Sequence, residues 1–327
     1  MKGRLKILAI IPGSKDNKVS MIFARREVDA LAEHAVNIKT HFVSVGWSPL
    51  AFYREYCAIK QIIYDFSPDV VHAHYGTVTA MISLLAANCP VVVTYRGSDL
   101  NPVPSERRYK TVIAHAISQL AGIFADKIIC VSRELSNRLI WGRKKTVVIP
   151  ESVDLTLFCP ISKSRARESL GWDQSSIIVL FNAGNAPKVK RLDLAELAVA
   201  SANAIGANIR MHVIRGNVSP EKMPSYLNAA DVLLVTSDYE GGPTIVQEAI
   251  SCNLPIVTVD VGDVKCKLSP VSQSRVVARN PQALGQALVD IVSAGLRSNG
   301  YETAKLRFGS ETIIPQIIAV YNSASGK

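Results

Sequence analysis

The 327-residue sequence has no C-x-x-C pair, and its six cysteines, Cys57, Cys89, Cys130, Cys159, Cys252 and Cys266, are scattered without nearby histidines. Such usage argues against a zinc site and a disulfide framework and fits reduced thiols in a cytoplasmic protein. Long apolar runs are missing too. The run Ile7 to Ile11 is too short for a signal peptide or a membrane span and stops at Pro12-Gly13, so it reads as a first β-strand. No G-x-G-x-x-G joins that strand to a helix, and a lone Gly13 cannot give a dinucleotide the close backbone approach of a nicotinamide oxidoreductase. No repeat of solenoid or propeller spacing occurs, and the prolines and glycines are spread as punctuation rather than gathered into a low-complexity tract. The basic residues lack interleaved aromatics, so nucleic acid is not an expected partner.

What is present is an apolar fraction of 48% with only 20% charged residues, enough to build two ordinary globular cores. The formal net charge of +10 is unevenly placed, with +9 carried by residues 1–150 and +1 by the remainder. This asymmetry suggests attraction of the first half to an anionic surface, phospholipid or a diphosphate-bearing acceptor, or else simply a well-solvated face.

Short Val- and Ile-rich runs alternate with stretches of helical spacing, the pattern of a parallel sheet covered by helices. Strands are expected near 6–11, 39–45, 69–74, 90–95, 127–131 and 146–149, with helices such as Ile22 to Glu33 and Val112 to Phe124 between them. The rhythm breaks from Ile149 to Pro160 and resumes with strands at 177–182, 209–214, 232–236 and 256–259, and Thr312 to Tyr321 reads as a closing helix. The expected organisation is an α/β chain of two doubly wound domains, 1–150 and 151–308, followed by a C-terminal helix within 309–327.

The segment Asp238-Tyr-Glu-Gly-Gly-Pro-Thr-Ile-Val-Gln-Glu248 runs from a strand end through a Gly-Gly-Pro turn into a helix. Pro243 suits a first helical position, and the unpaired N–H groups of that turn, near Thr244, form an anion site for a diphosphate. Glu248, one turn on, is placed to accept hydrogen bonds from two ribose hydroxyls, while Glu240 and the backbone of Gly241 and Gly242 approach a sugar. Spacing alone leaves a second reading open, with Glu240 a turn residue and Glu248 an exposed helix residue.

The whole stretch resembles the E-x7-E region of glycosyltransferase family 4, the retaining transferases of the GT-B fold, with Glu240 and Glu248 on its two glutamates. The resemblance continues through Val257 to Val264, Met223 to Asp231, Val131 to Leu135 and Ile149 to Asp154. Ala183 to Asp193 is similar to the family loop that grips the donor diphosphate: Lys190, six residues after Gly184, falls at its lysine, whereas Asn185 replaces its arginine, for which Lys188 or Arg191 can substitute. Val70 to Gly76 and Val92 to Leu100 look like the strand ends that line the interdomain cleft, with Arg96 standing where many members carry a histidine and placed instead to neutralise phosphate or orient the acceptor, and with His74 either facing the cleft or serving as an interior, structural histidine. Gly13 falls in the loop near the donor phosphates.

The resemblance implies two facing Rossmann-like domains with a cleft between them, and transfer from a nucleotide sugar to a glycan or lipid-linked acceptor in bacterial cell-surface polysaccharide or glycolipid synthesis. Glu240, Arg96 and His74 are the expected catalytic residues; Gly184, Asn185, Lys190, Gly241, Gly242, Pro243, Thr244, Glu248 and Gly13 are expected to bind the donor. No D-x-D-type carboxylate pair is found, so neither a metal nor a cofactor is expected. A cytoplasmic location, peripheral to the inner face of the membrane, and an anionic membrane partner follow from charge and acceptor together. The replacements at Asn185 and Arg96 keep open an inactive, transferase-like binding subunit; a sugar-nucleotide epimerase or hydrolase of the same fold is the enzymatic alternative.

Overall fold

Runs of consecutive aliphatics need cover on both faces, and in the computed structural model they become strands of two parallel sheets. The structure describes residues 4–17, 20–34, 36–44, 48–101, 108–184 and 186–327. The chain divides into two units, Met1–Ser152 with Ser310–Lys327, and Val153–Gly309.

In the first unit the strands are β1 (Lys6–Pro12), β2 (Asn37–Val43), β3 (Val70–Ala73), β4 (Val91–Tyr95), β5 (Lys127–Cys130) and β6 (Thr146–Val148), in the order β2-β1-β3-β4-β5-β6. Between them run α1 (Ile22–Glu33), α2 (Pro49–Phe66), α3 (Val78–Ala86) and α4 (Arg108–Phe124). Local chemistry sets the ends: the hydroxyl of Ser48 accepts from the Ala51 N–H at 3.3 Å and Pro49 opens α2, which satisfies one orphan donor and presets φ. Ile7 to Ile11 are all fully buried, as a central strand demands. The C-terminal helix Ser310–Ser325 packs Ile313, Ile314, Ile317 and Tyr321 against Ile7, Val70, Val92 and Ile129. At roughly 1.5–3 kcal/mol for each fully buried aliphatic, this contact holds the helix to the first unit.

The second unit contains β7 (Ile177–Asn182), β8 (Ile209–Ile214), β9 (Val232–Val235), β10 (Ile256–Val259) and β11 (Arg275–Val277), in the order β11-β10-β9-β7-β8. Sequence spacing does not reveal β11, a three-residue edge strand without a fully buried position. Its last long helix, Pro281–Ala294, opens on an Asn280 cap and closes on Gly295 in the left-handed conformation.

Each sheet has one point where the strand order reverses, between β1 and β3 in the first unit and between β7 and β9 in the second. Loops leaving the carboxyl ends of strands at such points diverge and leave a crevice where ligands bind. Gly13 and His74 follow β1 and β3; the Gly184–Lys190 and Ser237–Pro243 segments follow β7 and β9.

Candidate active site

In the second unit the two loops at the switch point are bonded to each other. The Thr236 hydroxyl donates to the carbonyls of Lys190 and Arg191 at 2.8 and 2.9 Å, and Asp238 N–H donates to the Val189 carbonyl at 2.9 Å. Arg279 clamps the same loop from outside, its guanidinium donating to the carbonyls of Thr236 and Ser237 and to the Asp238 carboxylate, each within 3.0 Å. Lys190 lies at the end of the short helix Pro187–Lys190, and its ammonium bonds the Glu240 carboxylate at 2.6 Å. The Ser237 hydroxyl donates to the same Glu240 oxygen at 2.7 Å. Lys190, Ser237 and Glu240 line a small recess with Asn182, Val235 and Ile245.

Pro243 is the cap residue, one position earlier than expected, and the helix runs Thr244–Ser251. Every residue from Ile245 onward is buried, Glu248 with 8% exposure. This excludes the exposed-residue reading of Glu248, since a carboxylate is kept that far from water only with partners. Gly184 has a positive φ of 50° and its N–H donates to the Ile214 carbonyl and the Asn182 side chain, which turns the loop at the end of β7. Asn185 lies outside the described residues. Lys188 is exposed, whereas Arg191 is paired with Asp193 and Asp238. Gly262, beyond β10, has φ +60° and lies so near that a Cβ would meet the Cβ and carbonyl of Glu240 at 3.4 Å. Ser237, Asn182, Arg279 and Gly262 thus belong to the site, although only Gly262 falls in a block singled out from sequence.

In the first unit, Arg96 is the centre of a buried polar cluster. Its guanidinium donates to Glu27 of α1 at 2.8 Å, to Nδ1 of His74 at 2.8 Å, and to both carboxylate oxygens of Glu151. His72 bonds the Tyr321 hydroxyl at 2.6 Å through Nδ1 and the Thr94 hydroxyl at 2.7 Å through Nε2. Asp99 accepts from the backbone N–H groups of Arg96, Gly97 and Gly76, which fixes both strand-end loops. Gly76 is obligatory there, because a Cβ would stand 2.2 Å from the Tyr95 ring. Gly13, with φ +115°, donates to the Val43 carbonyl, and Arg25 binds the loop after it through the carbonyls of Ser14, Asn17 and Ser20.

From its place in the motif Arg96 is expected to be catalytic. The structure places it 5% exposed with its charge already met by two carboxylates. Those carboxylates and the burial act on it in opposite senses: burial lowers its pKa, and Glu151 and Glu27 raise it further than burial lowers it. Burial also raises Glu27, despite Arg96 beside it. Among the described residues, Glu27, His72 and His74 form the one group of acidic, histidine or cysteine side chains that could reach a common metal ion. Arg96 already supplies the positive charge at that point.

The two histidines carry a pH dependence with a definite sign. Burial pushes both well below the ordinary value of 6.5, and Arg96 adds to the effect. Below 6.5 the unfolded chain binds protons that the folded one refuses, so their contribution is complete above 6.5 and is lost as pH falls towards the depressed values. Each histidine adds a slope of up to about 1.4 kcal/mol per pH unit, opposed in part by Glu27 and Asp99, both of which burial raises. The denaturant midpoint of the first unit is therefore expected to fall between pH 7 and 5, and His72→Gln with His74→Gln to flatten that slope. An unchanged slope in the double variant would assign the dependence to other groups.

With this geometry in view, residues 14–157 match the family model described as Glycosyltransferase Family 4, and residues 174–294 match that of Glycosyl transferases group 1. The provisionally named teichuronic acid biosynthesis glycosyltransferase TuaC of Bacillus subtilis is 26% identical over 270 residues, covering 75% of this chain and 68% of TuaC. Among solved structures, sucrose-phosphate synthase from Thermosynechococcus elongatus superposes with a TM-score of 0.76 at 19% identity, over 98% of this chain and 99% of that one. HepE from Anabaena, in complex with UDP-glucose, gives 0.70 at 17% identity, over 98% and 100%. The fold is that of GT-B glycosyltransferases, and the chain belongs to glycosyltransferase family 4.

Proposed function

We propose that the chain is a retaining, metal-independent hexosyltransferase whose second unit holds a nucleoside-diphosphate sugar. The observation that carries this reading is the Lys190–Glu240 ion pair at the switch-point recess, one loop from the buried Glu248. The donor diphosphate takes the place of Glu240 as partner of Lys190 and receives the N–H groups near Gly184 and Thr244, with Asn185 and Lys188 alongside. Glu240, so released, meets sugar hydroxyls with the backbone of Gly241 and Gly242, at the turn that Pro243 closes. Glu248 takes the ribose. The bond from the anomeric carbon to phosphate breaks, the acceptor oxygen bonds that carbon on the same face, and its proton passes to the departing phosphate. Fixed dipoles and the Lys190 charge stabilise this transition state without a protein nucleophile. Gly13 borders the switch point of the first unit; Arg96 and His74 serve as positioning residues there, through the strand-end loops they hold.

The likeness to TuaC, named for teichuronic acid biosynthesis, supports an acceptor in cell-surface polysaccharide synthesis; a glycan or lipid carrier and a cytoplasmic place at the inner membrane face belong to the same proposal. UDP is the first nucleotide to try, because HepE is solved with UDP-glucose. In calorimetry, Lys190→Ala is expected to weaken UDP about ten- to a hundredfold and uridine little, as loss of a charge-assisted contact to phosphate requires. Equal losses for both ligands would remove Lys190 from the diphosphate site. Transfer of labelled hexose to a membrane lipid extract, in EDTA and with the anomeric configuration kept, is the result expected of the enzyme. Free hexose or an epimer would replace this reading with the hydrolase or epimerase; nucleotide binding without turnover would replace it with the binding subunit.

A further inference from the structure

Helix α4 carries its amphipathicity reversed. Its polar side chains turn towards the fold: His115 bonds the Asn101 carbonyl at 3.0 Å, Ser118 is buried, and Gln119 donates to the Arg138 carbonyl and accepts from the Ile140 N–H. Its solvent face is apolar instead, with Tyr109, Val112, Ile113, Leu120, Ile123 and Phe124 all exposed, the last by 65%. These positions recur at intervals of three, four and seven, one continuous stripe along the helix. The loop bonded to Gln119 extends it with Ile140 and Trp141, exposed by 65% and 50%. An apolar stripe of this length on a soluble surface marks a contact site.

The charge beside it selects the partner. Arg143, Lys144 and Lys145 follow Trp141 directly; Lys145 reaches back to the Ile123 carbonyl at the end of α4, and Arg143 is held against the Leu139 and Asn137 carbonyls. The nearby acids are already taken up, Glu134 by Arg138 and Asp126 by the Val91 N–H. A second copy would set these cations against each other, whereas an anionic bilayer complements them. Aromatic and aliphatic side chains beside clustered basic ones are the pattern of a helix lying in the membrane interface. No helix among the described residues is long and apolar enough to cross a membrane, which leaves the in-plane mode.

We propose that α4 and the Ile140–Lys145 loop form an in-plane docking surface for an anionic phospholipid bilayer, its apolar stripe entering the acyl boundary and its cations meeting the headgroups. This surface goes beyond a general attraction by charge. Arg25, by contrast, is engaged by its own loop, and Arg107 lies outside the described residues. The inference does not depend on the catalytic reading, since lipid binding is measured without donor or acceptor.

The test is flotation of the full chain with vesicles of phosphatidylglycerol and phosphatidylcholine, against phosphatidylcholine alone, with brominated lipids to quench tryptophan. The chain is expected to float with anionic vesicles at low salt and to show quenching that Trp141→Phe removes. Val112→Gln with Phe124→Gln, both at exposed positions, is expected to raise the lipid needed for half-binding at least about tenfold while leaving UDP affinity and thermal stability unchanged. Failure to float would overturn the proposal. Equal flotation of the double variant, or unquenched Trp141, would reduce the surface to adsorption by charge and overturn it too. A dimer that the double variant dissociates, in a chain that ignores vesicles, would assign the stripe to self-association instead.

Discussion

Arg96→Ala is expected to cost the first unit roughly 3–5 kcal/mol of stability, the scale for removing one partner of a buried ion pair. The reason is the state of what remains. Glu27 and Glu151 are 7% and 5% exposed, and without the guanidinium both carboxylates stay in low dielectric and lose the cation that bridges them. Nδ1 of His74 loses its donor as well, and Nε2 of that ring already has no hydrogen-bond partner among the described residues. Arg96→Lys should recover only part of the loss, because one ammonium cannot reproduce a planar fork that meets two carboxylates and an imidazole. The histidine that family resemblance places here should do no better, having two ring nitrogens for three partners. Adding Glu27→Gln and Glu151→Gln to Arg96→Met removes the uncompensated charge and should restore much of the stability. Urea denaturation measures each step; a loss under about 1 kcal/mol for Arg96→Ala would mean that water reaches the carboxylates and that the cluster is not a closed network.

That cluster marks where reading the sequence stops. The strands were legible because each is a short apolar run between breakers, and Lys6–Pro12, Val70–Ala73, Val91–Tyr95, Ile177–Asn182 and Ile256–Val259 fall within a residue or two of expectation. Glu240, Lys190 and Glu248 were legible because they lie in short local motifs. Glu27, His72, Arg96, Glu151 and Tyr321 come from a helix, three strand ends and the last helix, and only the fold brings them together. Arg279 escaped for the same reason, as its targets, two backbone carbonyls and the Asp238 carboxylate, lie some forty positions earlier, too far away in sequence to form a motif with it. The opposite failure occurs in α4. Helical spacing of apolar residues from Val112 to Phe124 suggests a stripe but not the side to which it turns, and here small residues such as Ala121 face the core while the large ones face out. Periodicity measures segregation of residue types; burial depends on what the rest of the chain brings against each face.

Glu248→Ala is expected to weaken a ribonucleoside diphosphate by about 1–3 kcal/mol, five- to 150-fold, the range for charge-assisted hydrogen bonds to hydroxyls. Glu248 lies on the second turn of the helix Thr244–Ser251, whose first-turn N–H groups favour negative charge. A carboxylate there serves as a fixed acceptor pair, and vicinal hydroxyls are the donor pair that fits it. Uridine should suffer nearly the same loss as UDP, which separates this residue from Lys190, where the loss belongs to the phosphates. The ligand can be edited to close the cycle. With 2′,3′-dideoxyuridine diphosphate the wild-type chain loses the same hydroxyl contacts, so it and Glu248→Ala should bind alike. Since Glu248 is buried, thermal unfolding of the variant must be followed in parallel, and Glu248→Gln keeps the volume while removing the charge. Calorimetry on the four combinations decides the matter: if Glu248→Ala and Glu248→Gln bind UDP as the wild type does, or if the dideoxy ligand keeps the full difference between wild type and Glu248→Ala, the ribose is held elsewhere and Glu248 is a structural acid of the helix.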